Sequence, residues 1–157
     1  MKRGTKYTLI GLGVVFAAMQ LKTVDRTNHL GAGDPVASRE VMWILRRACY
    51  DCHSGESRWP IWAYVAPMSW RVVGDVNRAR VTLNFSDWVA YPVERRVALR
   101  ATIAPITITH RMPLWYYVSL HPDARLSRPE LDTLQEWSRR AVEERQADTS
   151  ARHSSQR

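Results

Sequence analysis

The stretch Cys49-Tyr50-Asp51-Cys52-His53 decides the fold of this chain, and it contains both of its cysteines. The two thiols are three residues apart, so on a helical turn they face the same side. Two thiols at this spacing, followed at once by an imidazole, form the c-type haem attachment pattern. Both sulfurs could bond the vinyl groups on one porphyrin edge, with His53 as the proximal ligand of the iron. The pattern therefore predicts one covalent haem c, held by Cys49, Cys52 and His53.

Four other interpretations of these residues remain open. A disulfide between cysteines this close would stabilise little, because the stabilisation grows with the length of the closed loop. A thioredoxin-like redox pair would follow a strand of a βαβ unit, and no such pattern surrounds the motif. A structural zinc site needs four ligands, and the sequence has no paired second half such as HxxxH. Chance occurrence of a five-residue pattern is the last alternative.

The N-terminus has the layout of an export signal, which covalent haem attachment requires. Lys2, Arg3 and Lys6 form a positive region before the apolar run from Thr8 to Leu21. The run is short for a helix that must cross a bilayer, which takes about 20 residues. No small-x-small cleavage site follows it. Residues 1–21 are therefore predicted to be a signal peptide or, by a slight preference, an anchor in the inner membrane that leaves the domain on the periplasmic side.

Composition divides the rest of the chain into three parts. Residues 22–36 are polar and contain glycine and proline, which is typical of a linker. Residues 37–141 are predicted to form one mono-haem c-type cytochrome-like domain. Residues 142–157 are polar and basic without periodic apolar positions, which predicts a disordered tail.

The periodicity of residues 37–141 is helical and predicts an all-α domain. Ser38 can cap a helix that runs into the attachment motif. Pro67 begins a second helix, and Pro92 opens a third that Pro105 should end or kink. The capping box at 127–130 begins a fourth. We therefore expect a small cytochrome c-like domain of about four short helices with long loops around a haem, although the β-branched residues 102–109 could also be extended.

A domain with short helices and long loops would have difficulty filling a core, and a fixed haem would supply apolar surface. Seven large flat side chains are suited to packing on a macrocycle: Trp43, Trp59, Trp62, Trp70, Trp88, Trp115 and Trp137. We expect two or three of them to contact haem and the others to be ordinary core or turn residues.

Met112 is the favoured candidate for the distal ligand of the iron. Its thioether is a soft ligand that raises the potential of a haem. The following Pro113 biases Met112 away from helix and stiffens the loop that would deliver it. His110 and His121 are rivals, and an open or water-filled distal position is the remaining alternative.

An ordered series of motifs across residues 37–141 resembles a known family. The series runs Cys49–Ser54, Arg58-Trp-Pro, Ala66-Pro67, Ser69-Trp70, Asp75-Val76, Leu83–Trp88, Met112-Pro113 and His121–Ser127. It is similar to the bacterial haem-binding domain family, which comprises small exported cytochrome c-like proteins with one CxxCH motif. The resemblance implies a mono-haem fold with His53 proximal and Met112 as the counterpart of the family's Met-Pro element.

The net charge of +8 is scattered along the chain and argues against nucleic-acid binding, because no recognition motif accompanies it. An acidic redox partner or an anionic membrane surface fits the charge better. Arg58 and Arg71 lie near the haem motif in sequence. They are either partners of the haem propionates or exposed solubilising residues.

These features predict an electron carrier rather than an enzyme. A six-coordinate haem near a membrane would pass single electrons between redox partner proteins. The alternatives are a haem-based ligand binder or peroxidase-like protein with an open distal site, for which His110 would be the acid–base group, and a haem subunit of a larger membrane complex. The sequence contains no signal for the oligomeric state.

Overall fold

The computed structural model describes residues 3–154, with side chains described for residues 3–143. Within this range the chain is all-α and contains no strand, which confirms the predicted fold class. Its seven α-helices are α1 (Arg3–Met19), α2 (Arg39–Ala48), α3 (Tyr50–His53), α4 (Met68–Thr82), α5 (Val93–Ile108), α6 (Trp115–Leu120) and α7 (Arg128–Ser154). Three short 3-10 helices span Ile61–Tyr64, Trp88–Ala90 and Pro122–Ala124. The four predicted helices correspond to α2, α4, α5 and α7.

The helix that leads into the attachment motif begins as its sequence predicts. Ser38 has extended backbone, and its hydroxyl accepts a hydrogen bond of 3.3 Å from the N–H of Val41. This bond satisfies one of the free N–H groups of the first turn of α2. The apolar stripe of α2 is buried, and Ile44 and Leu45 have no exposed surface. Burial of this face orients the end of α2, where the cysteines follow.

The third predicted helix does not end at Pro105, and residues 102–109 are not extended. α5 continues through Pro105 to Ile108 and packs along α7. The hydroxyl of Thr107 donates to Ile103 O and Ala104 O, both at 2.9 Å, so it is satisfied within the helix although it is buried. Packing against α7 therefore outweighs the loss of one backbone donor at the proline.

Phe85 lies at the centre of the core, with 1% of its surface exposed. Its ring stacks on Tyr50 of α3 at a centroid distance of 5.2 Å and on Trp88 at 6.0 Å. Trp88 in turn contacts Trp137 of α7, with 6.3 Å between ring centroids. The attachment turn is thus packed directly on the aromatic core.

Residues 22–36, predicted to be a polar linker, lie against the domain in the structure. Arg26 Nε donates to Ala63 O at 2.8 Å, and Gly33 N–H donates to Ser86 O at 2.8 Å. Gly33 has a φ of 141°, a conformation that favours glycine. The segment therefore follows the surface of the domain and is held there by hydrogen bonds along its length.

The last helix extends beyond the predicted end of the domain at Ala141. The backbone of α7 continues to Ser154, whereas the sequence predicted a disordered tail over residues 142–157. Residues 155–157 lie outside the described residues, as do the side chains beyond Glu143.

α1 falls within residues 1–21, the predicted export segment. Its 17 residues run from Arg3 to Met19, and Lys2 of the predicted positive region lies outside the described residues. Among residues 3–154, no helix has both the length and the apolar character that a membrane crossing requires.

Candidate functional site

The attachment motif forms a single turn of helix after α2. Both Cys52 and His53 donate their backbone N–H to Cys49 O, at 3.1 and 2.9 Å. Cys49 and Cys52 are both free thiols. The turn therefore contains two unbonded sulfurs three residues apart in the chain.

The imidazole of His53 is held by the chain that follows α4. The ring Nδ1 lies 3.0 Å from Leu83 O. The backbone carbonyl of His53 accepts a hydrogen bond of 2.7 Å from Phe85 N–H. A carbonyl can only accept, so Nδ1 carries the proton and the lone pair is on Nε2. Burial lowers the pKa of His53, which keeps the ring neutral and suited to metal binding. The carbonyl that orients the ring is therefore that of Leu83.

Burial also changes the two thiols. It raises the pKa of Cys49 to about 12 and that of Cys52 to about 11. A redox-active CxxC pair depends on a lowered thiol pKa, so this environment does not favour that interpretation. Among the described residues, no group of three or more His, Cys, Asp or Glu side chains is arranged to hold a metal ion. The zinc interpretation therefore gains no support from the described part of the chain.

A cleft with about 580 Å³ of empty space, part of it open to solvent, lies beside the attachment turn. The wall is mostly apolar and aromatic and is built from four regions of the chain. These are Cys52 of α3, Trp59 and Trp62 of the segment between α3 and α4, Val72 and Val76 of α4, and Leu114, Tyr117 and His121 at α6. Cys49, His53 and Met112 lie off this wall.

One polar atom on the cleft wall lacks a partner. The indole Nε1 of Trp59 is buried and has no hydrogen-bond acceptor among the described residues. An unsatisfied buried donor costs about 1–3 kcal/mol, so such groups are uncommon unless something else pairs with them. A group that accepted a hydrogen bond from this indole would therefore remove that cost.

A chain of contacts connects α6 with the attachment motif. Tyr117 donates its hydroxyl to Asp51 Oδ2 at 2.8 Å. His121 stacks on the ring of Tyr117 at 4.3 Å, and its Nδ1 lies 3.1 Å from Tyr117 O. Burial raises the pKa of Tyr117, and its bond to Asp51 adds to this effect. The hydroxyl therefore stays protonated and holds the two sides of the cleft together.

The role of Tyr117 was missed in the sequence. A signal for it exists, because Tyr117 and His121 are four residues apart and such residues meet on a helix face.

The three candidates for the distal ligand occupy different places. His121 lies on the cleft wall. Met112 is half-buried and donates its N–H to Ile106 O at 3.1 Å. The chain reaches the wall two residues later, at Leu114. His110 is exposed and has a φ of 54°.

The two arginines considered for propionate binding are both paired with acids. Arg58 lies on the cleft wall, where its Nε is 3.3 Å from Asp51 Oδ1 and its side chain is 79% exposed. Arg71 pairs with Asp75 at 2.9 Å and lies off the wall. Of the two, Arg58 is the one placed to meet a charged group at the mouth of the cleft.

Comparisons with known proteins give one match. The model of a family described as "Haem-binding domain" matches residues 12–140, which is most of the chain. The searches of curated proteins and of solved structures found no match. The match spans α2 to α6, the attachment turn and every wall of the cleft. The chain therefore belongs to the haem-binding domain family, and haem is the cofactor that this membership supports.

Proposed function

We propose that this chain is an exported mono-haem c-type cytochrome-like protein that carries single electrons. Cys49 and Cys52 would form the two thioether bonds, and His53 would be the proximal ligand. The observation that carries the proposal is the hydrogen bond from His53 Nδ1 to Leu83 O. It leaves the lone pair on Nε2 and fixes the ring beside two free thiols, which is the usual way in which a protein orients a metal-binding histidine.

Several residues of the cleft suit a haem, and Cys49 and His53 lie off the wall but close in the chain to residues of the attachment turn that reach it. Cys52, one of the proposed attachment sites, is on its wall, and aromatic side chains supply flat apolar surface. The unpaired indole N–H of Trp59 is a donor that suits a carboxylate such as a haem propionate. Arg58 at the same wall carries a positive charge near the cleft mouth. Two of the seven tryptophans, Trp59 and Trp62, are thus in a position to meet the macrocycle.

A bound haem c would supply an iron that gains and loses one electron without making a bond to a substrate. For that task His53 has to stay in one orientation through both states, and its bond to Leu83 O and burial against the core restrain it. The wall of the cleft is mostly apolar and aromatic. A restrained ligand and an apolar wall reduce the rearrangement that accompanies a change of charge.

Met112 remains our proposal for the distal ligand, on the strength of its thioether and the Pro113 that follows. Its half-buried position two residues before the cleft wall is compatible with a small movement of the loop toward the site. The functional class proposed is that of an electron carrier and not of an enzyme. Its partners would be redox proteins, acidic ones suiting the net charge of +8. The domain would stand on the periplasmic side of the inner membrane, anchored by residues 1–21 unless these are cleaved.

A second candidate function follows from the position of His121. A ligand-binding or peroxidase-like protein needs an open distal position and an acid–base group near it. The sequence pointed to His110 for that group, but His121 is the histidine on the cleft wall. A haem subunit of a larger membrane complex is compatible with either chemistry.

Optical spectroscopy separates these functions. The full chain is produced with cytochrome maturation machinery, and its visible spectrum is recorded during a redox titration and after addition of carbon monoxide. An electron carrier should titrate reversibly as a one-electron couple and bind no carbon monoxide. Rapid carbon monoxide binding with peroxide-dependent oxidation of a dye would favour the second function instead. Replacement of the exposed Ser119 by Ala is a control that should change neither result.

A further inference from the structure

α1 exposes most of its apolar surface in the described part of the chain. None of its residues is buried, and the exposed ones include Leu9, Ile10, Leu12, Val14, Val15 and Phe16. An uninterrupted apolar surface of this kind is costly in water and is stable when lipid or protein covers it.

The end of α1 is fixed to the domain. The side chain of Gln20 makes two hydrogen bonds with the backbone of Ala66, accepting from its N–H at 2.9 Å and donating to its carbonyl at 3.3 Å. Six residues later, Arg26 Nε donates to Ala63 O at 2.8 Å. No free spacer therefore separates α1 from residues 63–66, within the part of the chain that the structure describes. Whatever surrounds α1 must come close to this region.

The region where α1 meets the domain is itself apolar and exposed. Ile61, Tyr64, Val65 and Met68, which we call the docking face, are 78, 57, 43 and 49% exposed. A bend of chain that exposes four large apolar side chains in eight residues is unusual for a surface that faces only water.

Basic side chains border the docking face. The ammonium group of Lys22 lies 5.2 Å from the ring centroid of Trp70, and the guanidinium group of Arg26 lies 4.6 Å from that of Tyr64. Apolar and aromatic side chains next to Lys and Arg are typical of the boundary between hydrocarbon and anionic headgroups.

We propose that the docking face lies directly on an anionic lipid bilayer while α1 inserts into that bilayer. This inference rests on the membrane location proposed above and adds the orientation of the domain.

The 17 residues of α1 are about 25 Å long at about 1.5 Å per residue, which is less than the roughly 30 Å of bilayer hydrocarbon. A short apolar helix draws its flanking residues toward the bilayer. The bonds of Gln20 and Arg26 then bring the docking face with them.

The test uses two spin labels at opposite ends of α4. Met68→Cys places a label on the docking face, and Val81→Cys places one on a residue that is 80% exposed near the other end of the helix. The two positions are about 20 Å apart along α4 at about 1.5 Å per residue. Both are exposed, so a label at either should leave the fold intact, and the native cysteines are consumed by haem attachment.

The labelled, haem-loaded full chain is reconstituted into vesicles of zwitterionic and anionic phospholipids. Collisions of each label with oxygen, which concentrates in lipid, are compared with collisions with a water-soluble nickel complex. We expect the oxygen-to-nickel ratio to be severalfold higher at Met68→Cys than at Val81→Cys.

Equal, water-like ratios at both positions would overturn the proposal, as would failure of the chain to associate with vesicles. An immobilised Met68→Cys label shielded from both reagents would also overturn it, because that result indicates a protein on the docking face. Haem staining of the same samples distinguishes a failure of the proposed function from a failure of lipid docking. Loss of stain contradicts the proposed function, whereas stained protein with water-like labels contradicts lipid docking alone.

Discussion

Replacing Phe85 with Ala should be among the most damaging single changes in the domain, because this ring joins the core to the attachment turn. It is 1% exposed and stacks on Tyr50 and Trp88 at 5.2 and 6.0 Å. Removing a buried Phe costs about 3–5 kcal/mol, and each aromatic pair contributes about 0.5–1.5 kcal/mol of such a loss. With two stacked partners and almost no exposure, we expect a loss of about 4 kcal/mol in the free energy of unfolding.

Urea unfolding of the haem-loaded chain, followed by far-ultraviolet circular dichroism, measures this loss. Phe85→Leu should cost clearly less, since it keeps most of the apolar volume. Val81→Ala, at a position that is 80% exposed, should stay within about 0.5 kcal/mol of the unchanged protein. A loss below about 1 kcal/mol for Phe85→Ala would refute the reasoning, because a ring truly enclosed by the core cannot be removed so cheaply.

Three further outcomes are expected. Met112→Ala should abolish the far-red charge-transfer band that marks a methionine bound to ferric haem, while His121→Ala should leave it; absence of this band from the unchanged protein, together with a visible spectrum that changes in His121→Ala, would transfer the distal role to His121. Gly31→Ala should destabilise the fold by about 1–3 kcal/mol in urea unfolding, because a Cβ there would overlap Ser86 O. An unchanged midpoint would show that residues 22–36 do not lie where described. Burial raises the pKa of Glu130, but hydrogen bonds at the start of α7 and a nearby arginine outweigh it and hold the pKa below its ordinary value of 4.5. The carboxylate therefore stabilises the fold above about pH 4.5, and this contribution is lost as the pH falls through the lowered value. Glu130→Gln should flatten the dependence of stability on pH in this window, and an unaltered acid profile would contradict the assignment.

Local signals in the sequence predicted the parts of the fold that depend on neighbouring residues. The cap of Ser38 forms with Val41, three residues away. At the predicted capping box of residues 127–130, Ser127 N–H donates to Glu130 Oε2 at 2.7 Å, and the Ser127 hydroxyl donates to the same carboxylate at 2.8 Å. The attachment turn is also local, since it closes within five residues. Such features follow from side-chain chemistry and helix periodicity alone.

Features that depend on distant contacts could not be predicted in the same way. α5 runs through Pro105 because α7 packs beside it. The carbonyl that orients His53 comes from Leu83, 30 residues along the chain, and nothing in the sequence distinguishes that carbonyl from others. Residues 22–36 have the composition of a linker, yet backbone groups of the domain accept and donate hydrogen bonds along them. Backbone partners carry no sequence signal.

The candidate site shows the same division. The two thiols and the histidine proposed as the proximal ligand were predicted from their spacing, which covalent attachment to one porphyrin edge would require. The cleft wall combines side chains from four regions of the chain, and the meeting of Trp59 with Tyr117 and His121 depends on how α6 lies against the rest. The sequence could nominate His121 as a rival ligand but could not place it on the wall.

Intact-mass spectrometry of the mature chain, made where cytochrome maturation machinery is active, tests covalent haem attachment most directly. The mass should exceed that of the polypeptide by one haem and should remain so after acidic acetone extraction. Cys49→Ser with Cys52→Ser should return it to the bare value. A bare polypeptide mass for the unchanged protein would contradict haem attachment through these two cysteines.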